Sequence, residues 1–363
     1  MRFSFVGTVD ANDLDSKVPY FREIENGLSL NLISIAAKNN RAFVETAGFK
    51  NDPIKTKDND GNDIEIAWED REKKEFIDNV AGYRKNVITL GDTRSEFVST
   101  LDFVEFVVNH IDEIKGKRYQ ITGNVKKNLY KGKLSDKFTI QSMYEVAADD
   151  DKKKNDLVVT GDFYFTKDSI DSADFAKEKK IYLNGWTKEY VDKDHKNAFC
   201  AKQLVLDCNK IDFNQERHVA QLVYRLKQIG CTLDDKRAIV SKLKKDKVYK
   251  IAVITKYLNG NEEAEFDESQ LTPNQKEAIA LGLSTLDDFR PSGKIFGDRI
   301  ITYKLSNFDL RGDYCDGCIV ADDFVESNIF TPIQNESLTE AFKEDAMNIP
   351  IESDGADMDS LFD

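Results

Sequence analysis

The sequence predicts a mainly β chain with a few helices, built as two halves that repeat one order of elements. Three observations lead there. Short alternating strands fill most of the 363 residues. Each half reads strand, strand, strand, helix, strand, strand. Between the halves, residues 149–155 (DDDKKKN) hold no apolar side chain and read as a linker.

In the first half, residues 2–9 alternate around Phe3, Phe5, Gly7 and Val9. Residues 28–38 (LSLNLISIAAK) form a long apolar run, Asn39 and Asn40 make a hairpin turn, and 41–49 return as a strand. Residues from about 50 to 96 are polar and read as an insertion, with a small hairpin over 54–68 around Asp58, Asn59, Asp60 and Gly61. Residues 101–114 place Phe103, Val104, Val107, Val108 and Ile111 at helical spacing. Strands at 118–127 and 133–146 complete this half. The second half repeats the order with strands at 157–166, 180–191 and 198–208. A helix follows over 215–229, then a strand at 248–258, a short helix at 270–283 and a strand at 299–308.

Three strands, a helix, then two strands is the order of the OB-fold, a five-stranded Greek-key barrel. The expected architecture is therefore α+β, dominated by β. A first OB-like domain covers 1–148, with the insertion at about 50–96. A linker at 149–156 and a second OB-like domain at 157–330 follow. Residues 331–363 form an acidic, disordered tail, in which 336–346 have the pattern of a short helix.

Composition narrows the function classes. With 40% hydrophobic and 33% charged residues the chain can bury cores, which excludes a wholly disordered protein. No apolar run approaches the ~18–20 residues of a membrane span, and the acidic start MRFSFVGTVDANDLD does not read as a secretory signal. Five cysteines, an odd and sparse set, point to a reducing compartment. Three histidines make histidine-rich metal sites and histidine triads poor candidates. The net charge of −14 is uneven: residues 333–363 hold nine acids against Lys343, more than half of the excess. An acidic tail on a less acidic body keeps nucleic acid open as a partner.

Two segments carry the chemistry. Residues 115–137 contain Lys115, Lys117, Arg118, Lys126, Lys127, Lys131, Lys133 and Lys137 against Asp136, interleaved with Tyr119 and Tyr130. Lysines neutralise phosphates, and aromatic rings offer flat faces to unpaired bases. The plainer alternative is a solvated hairpin with lysines guarding its edge. In residues 180–191 (KIYLNGWTKEYV), strand alternation puts Lys180, Tyr182, Asn184, Trp186, Lys188 and Tyr190 on one face. Ile181, Leu183, Gly185, Thr187, Glu189 and Val191 take the other. An outward face with three rings and two lysines suits base stacking. The alternative is inverted parity, with the rings in the core.

The expected function is sequence-nonspecific, non-enzymatic binding of single-stranded DNA in a continuous groove over both halves. Phosphates would meet Arg118, Lys126, Lys127, Lys131, Lys133, Lys137, Lys180 and Lys188, and bases Tyr130, Tyr182, Trp186 and Tyr190. Nothing here distinguishes RNA. A protein adaptor without DNA binding, or less favourably a metal-dependent nuclease, are the rivals.

With the acid-rich terminus Asp357–Met–Asp359–Ser–Leu361–Phe362–Asp363, the segments NLISIAAKNNRAFVETAGF and ITGNVKKNLYKGKLSDKF resemble phage-type single-stranded DNA-binding replication proteins. The resemblance is one of architecture over most of the chain. It implies that Asp357, Asp359, Leu361 and Phe362 recruit replication or recombination proteins, in the cytoplasm of a bacterial or infected host cell. Bacterial proteins of this class end on the Phe, whereas here Asp363 follows.

No cofactor is expected. Cys315 and Cys318 form C-x-x-C, but no second pair stands at zinc-ribbon spacing, and His195, Cys200 and Cys208 would join only by coincidence of the fold. Residues 58–63 resemble a calcium loop but put Ala67 where an acid is required. Glu262, Glu263, Glu265, Asp267 and Glu268 read as a solvated run. The chain has no phosphate-binding glycine loop and no nucleophile elbow.

Overall fold

The computed structural model describes residues 1–130, 133–173, 175–235, 237–263, 272–280, 296–308 and 318–331. It is mainly β with a few helices, as the alternation predicts.

The first half runs β1 (Arg2–Asp10), β2 (Phe21–Ile24), β3 (Gly27–Ala37) and β4 (Asn40–Phe49). The insertion opens with the hairpin β5 (Ile54–Lys57) and β6 (Asp63–Ile66), where Asp58 Oδ1 accepts from the Asp60 and Asn62 amides and fixes the turn. After α1 (Lys74–Asn79) come β7 (Asn86–Leu90) and β8 (Thr93–Phe97). The insertion has its own small core of Ile66, Val80 and Val98. β7 also joins the main sheet, pairing parallel to the later strand at Ser142–Val87, so the insertion is not a separate appendage. The predicted helix is split at His110 into α2 (Thr100–Asn109), capped by the Ser99 hydroxyl, and α3 (Ile111–Ile114). β9 (Arg118–Tyr130) and β10 (Lys133–Glu145) close the half.

The second half runs β11 (Asp156–Phe165), β12 (Ile170–Asp171), α4 (Phe175–Glu178), β13 (Lys180–Glu189), β14 (Ala198–Asp207) and α5 (Glu216–Gln228). A small hairpin, β15 (Cys231–Leu233) and β16 (Ile239–Ser241), precedes β17 (Tyr249–Glu263). Then follow α6 (Pro273–Ala280), β18 (Phe296–Phe308), β19 (Ile319–Val320) and β20 (Ile329–Phe330).

The pairings place the same ladder in both halves. In the first, β1 pairs β3, β3 pairs β4, β4 runs parallel to β10, β10 pairs β9, and β9 returns to β1. In the second, β11 pairs β13, β13 pairs β14, β14 runs parallel to β18, β18 pairs β17, and β17 returns to β11.

The halves are joined by more than the segment between them. β1 and β11 pair antiparallel from Arg2–Thr160 to Val6–Asp156, centred on Ser4–Val158. The described strands therefore make one continuous sixteen-stranded sheet, with two small two-stranded sheets beside it. One core runs through both halves. Phe5 and Phe138 of the first half lie 6.0 and 5.0 Å from the Tyr257 ring of the second, which lies 5.3 Å from Tyr303. The two long hairpins reach across the junction in opposite senses. Lys127 and Asp136 of β9–β10 meet Lys202 and Tyr303. Asn259 of β17 donates its amide to the Asn40 side chain, 3.0 Å, at the β3–β4 turn.

Candidate functional site

β13 presents the face the alternation predicts. Ile181, Leu183, Gly185, Thr187 and Glu189 are buried, while Lys180, Tyr182, Trp186 and Lys188 are half-buried and Asn184 is exposed. Gly185 is required because β11 crosses the strand there: a Cβ would stand 2.1 Å from the Tyr164 carbonyl oxygen. Across the ladder, Lys180 faces Asp207, Tyr182 faces Val205, Asn184 faces Gln203, Trp186 faces Ala201 and Lys188 faces Phe199. The outer face of β13–β14 thus carries two rings and two lysines in one row, beside Asp207, Val205, Gln203, Ala201 and Phe199.

A groove of about 400 Å³ opens on this face. It is lined by Tyr182, Gln203 and Val205, by Ile301 and Lys304 of β18, and by Leu134 and Asp136 of β10. Lys180 and Lys304 line it from the outer face, while Lys127 and Lys202 reach it only as buried side chains, 5% and 4% exposed, Lys202 standing opposite Gly185 on the core-facing side of β14. Asp136 is the hub. It accepts from Lys127 Nζ at 2.6 Å, from Lys202 Nζ at 2.7 Å, and from the Tyr303 hydroxyl. Burial alone would push this carboxyl up, but the Lys202 and Lys127 charges outweigh it and hold it well below the usual carboxylate range. One carboxylate serves two ammonium groups, so burial still pulls Lys202 down. The Lys202 ammonium also sits 3.5 Å over the Tyr303 ring. Lys304 pairs with Asp207 at 2.9 Å. Lys180 makes no ion pair among the described residues. The Tyr182 hydroxyl donates to Glu178 at 2.8 Å, which fixes the ring edge.

The remaining predicted residues do not share this groove. Arg118 is spent on the interdomain segment: Nε donates to Asn155, Nη1 to the Ala147 carbonyl at 2.9 Å, and Nη2 to the Lys153 carbonyl. Tyr119 lies in the core. Lys126 is exposed and Lys137 pairs with Glu45 at 2.8 Å; these two face each other across β9–β10, on the side opposite Lys127 and Asp136. Tyr130 and Lys133 end and start their strands at the hairpin tip, and Lys131 lies outside the described residues. Tyr190 is exposed just past β13, its carbonyl accepting from the Lys127 amide. Trp186 and Lys188 share the groove's strand but are covered by residues 318–331. Asp357, Asp359, Leu361 and Phe362 lie outside the described residues, as do the 336–346 helix and most of the 262–268 acidic run.

Sequence reasoning missed Lys202, Gln203, Tyr303 and Lys304. The available signal was Lys202 inside the apolar strand AFCAKQLVLD, where a cation needs a partner.

Among the described residues no group of His, Cys, Asp and Glu is placed to hold a metal ion. Cys200, Cys208 and Cys231 are buried, and burial pushes their thiols, and that of half-buried Cys318, up to about 11. Cys315 lies outside the described residues. No described helix is long and apolar enough to cross a membrane. No family model, no curated protein and no solved structure matches the chain.

Proposed function

We propose that this chain binds single-stranded DNA without sequence preference, on the outer face of β13, β14 and β18, and catalyses no reaction. The observation that carries the reading is that Lys180, Lys304 and Tyr182 line one open groove on this face, in a chain of net charge −14. Each half, within the one large sheet, is read as OB-like. The helix between third and fourth strands and the parallel β4–β10 and β14–β18 pairings support that reading. Strands two and three of an OB-fold, with the loop joining strands four and five, form its oligonucleotide face. Here those strands are β13 and β14. Lys180 and Lys304 would meet phosphates, and Tyr182 would take a base. The tail, with Asp357, Asp359, Leu361 and Phe362, would recruit replication or recombination proteins of a phage-infected or bacterial cytoplasm.

One observation favours the rival adaptor: Lys127, Lys202 and Lys304 already hold carboxylates. Fluorescence anisotropy with labelled dT20 at two salt concentrations decides. Base stacking is worth about 1–3 kcal/mol, so Tyr182→Ala should weaken binding by roughly 5- to 150-fold. No binding at low salt, or no effect of Tyr182→Ala, overturns the reading in favour of the adaptor. Loss of full-length dT20 with magnesium would instead reveal a nuclease.

A further inference from the structure

Beyond the groove, the same face of β13 continues to Trp186, whose cross-strand partner Ala201 lines the groove. Four residues at about 3.3 Å each place Trp186 about 13 Å along the strand from Tyr182. Here a segment of the chain itself lies on the face. Residues 318–331 are tied down at their two ends, β19 by two residues on β17 and β20 by two on β14. Between them, the Phe324 ring packs 4.5 Å from Phe199, 5.5 Å from Trp186 and 6.3 Å from Tyr164. The neighbouring Asp323 carboxylate accepts from the Tyr164 hydroxyl at 2.8 Å, Lys250 at 3.1 Å and Lys188 at 3.4 Å. Burial would raise the Asp323 carboxyl, but Tyr164, Lys250 and Lys188 hold it at about 2.

We infer that Trp186, Phe199, Tyr164, Lys188 and Lys250 form a second nucleotide subsite, and that Asp323 and Phe324 occupy it in place of a phosphate and a base. A flat ring against three rings, beside an anion between two ammonium groups and a hydroxyl, is what a nucleotide would present. Ile319, Val320 and Val325 of the segment are between 40% and 46% exposed, and its hold on the face is the small cluster that Ala321, Phe324 and Ile329 make with Tyr164 and Phe199, which its release uncovers. A strand long enough to run from Tyr182 to Trp186 must displace it.

This inference rests on the function proposed above. Its test uses the full chain and labelled dT20. Asp323→Asn keeps the shape and removes the competing anion, and should raise dT20 affinity about fivefold or more. Lys250→Ala added to Asp323→Asn should cancel that gain. In a Trp68→Phe background, dT20 should quench Trp186. An unchanged or lower affinity for Asp323→Asn, at an unchanged melting temperature, overturns the inference. So does the absence of Trp186 quenching on binding. If Phe324→Ala fails to fold, Asp323→Asn still decides. Binding that is sensitive to Tyr182→Ala but indifferent to Asp323→Asn sinks only this subsite. No binding by either protein sinks the proposed function with it.

Discussion

Asp136→Asn isolates the contact that joins the first-half hairpin to the second-half groove. The side chains of Lys127, Lys202 and Asp136 are 5%, 4% and 13% exposed, so water screens the cluster little. The wild-type cluster holds two ammonium groups on one carboxylate. Asparagine keeps the shape but leaves two like charges buried together, with an amide that can accept from only one of them well. Removing one partner of a buried pair costs about 3–5 kcal/mol. Lys127→Met is the contrasting perturbation. It leaves Asp136 and Lys202 matched one to one, and should cost clearly less than Asp136→Asn. The assay is urea unfolding followed by fluorescence of Trp68 and Trp186. Equal or larger loss for Lys127→Met than for Asp136→Asn would refute the reasoning, because it would mean that packing of the lysine stem, not charge balance, holds the hairpin.

The same residue sets a pH signature. Its folded carboxyl lies below the unfolded value of 3.8. The stability it supplies is therefore fully present above about pH 4 and is lost as pH falls through the folded value. Asp136→Asn should flatten the acid limb of the stability curve relative to wild type.

Three further outcomes follow from named contacts. Gly185→Ala forces a methyl against the Tyr164 carbonyl and the Phe163 ring, 2.1 and 2.7 Å away. It should cost at least the ~1–3 kcal/mol of an overpacked core, read as a lowered melting temperature. Arg118→Ala removes the donors to Ala147, Asn155 and Lys153, so limited trypsin digestion should cut at Lys152–Lys154 sooner, with the rest of the fold intact. If Lys180, Lys304 and one further lysine each neutralise a phosphate, log affinity for dT20 should fall against log salt with a slope near −2, at about 0.7 per phosphate. A slope near zero would remove the phosphate contacts.

What the sequence made legible was local. The period-two pattern of β13 assigned both its faces, because Ile181, Leu183 and Gly185 have one place to go and Lys180, Tyr182 and Trp186 another. The pattern also put α2, α3, α5, α6 and the long strands in place, but not α1 or α4. Contacts between distant residues were not legible. Asp136, Lys202 and Tyr303 meet only because the hairpin tip crosses to the second half, and nothing in the neighbourhood of any one names the others. The basic run at 115–137 looked like a single patch because charge was counted along the chain. Folded as a hairpin, it sends Lys127 to one side and Lys126 and Lys137 to the other, while Arg118 stands at the far end on the linker. The linker itself looked free because it is apolar-free. The β1–β11 pairing that binds the halves depends on which strand edges remain open, which composition does not encode.

The two halves share a ladder but not a surface, and this separates the fold from the proposed activity. Counted from the first residue of the second strand in each ladder, Lys180, Tyr182, Asn184, Trp186 and Lys188 of β13 stand where β3 has Gly27, Ser29, Asn31, Ile33 and Ile35. The core-facing positions, Leu183, Gly185 and Thr187 against Leu30, Leu32 and Ser34, are all six buried. The alternate set differs in the direction that matters for a polyanion: rings and cations stand where β3 has a glycine, a serine and two isoleucines, of which Ile33 is buried. Trp186 and Lys188 are accounted for by Phe324 and Asp323, which pack on them, whereas Lys180 makes no ion pair among the described residues. A groove running evenly over both halves is therefore not favoured by these residues. They favour a single patch on the second half, steered by lysines whose field is local enough to act within a chain of overall negative charge.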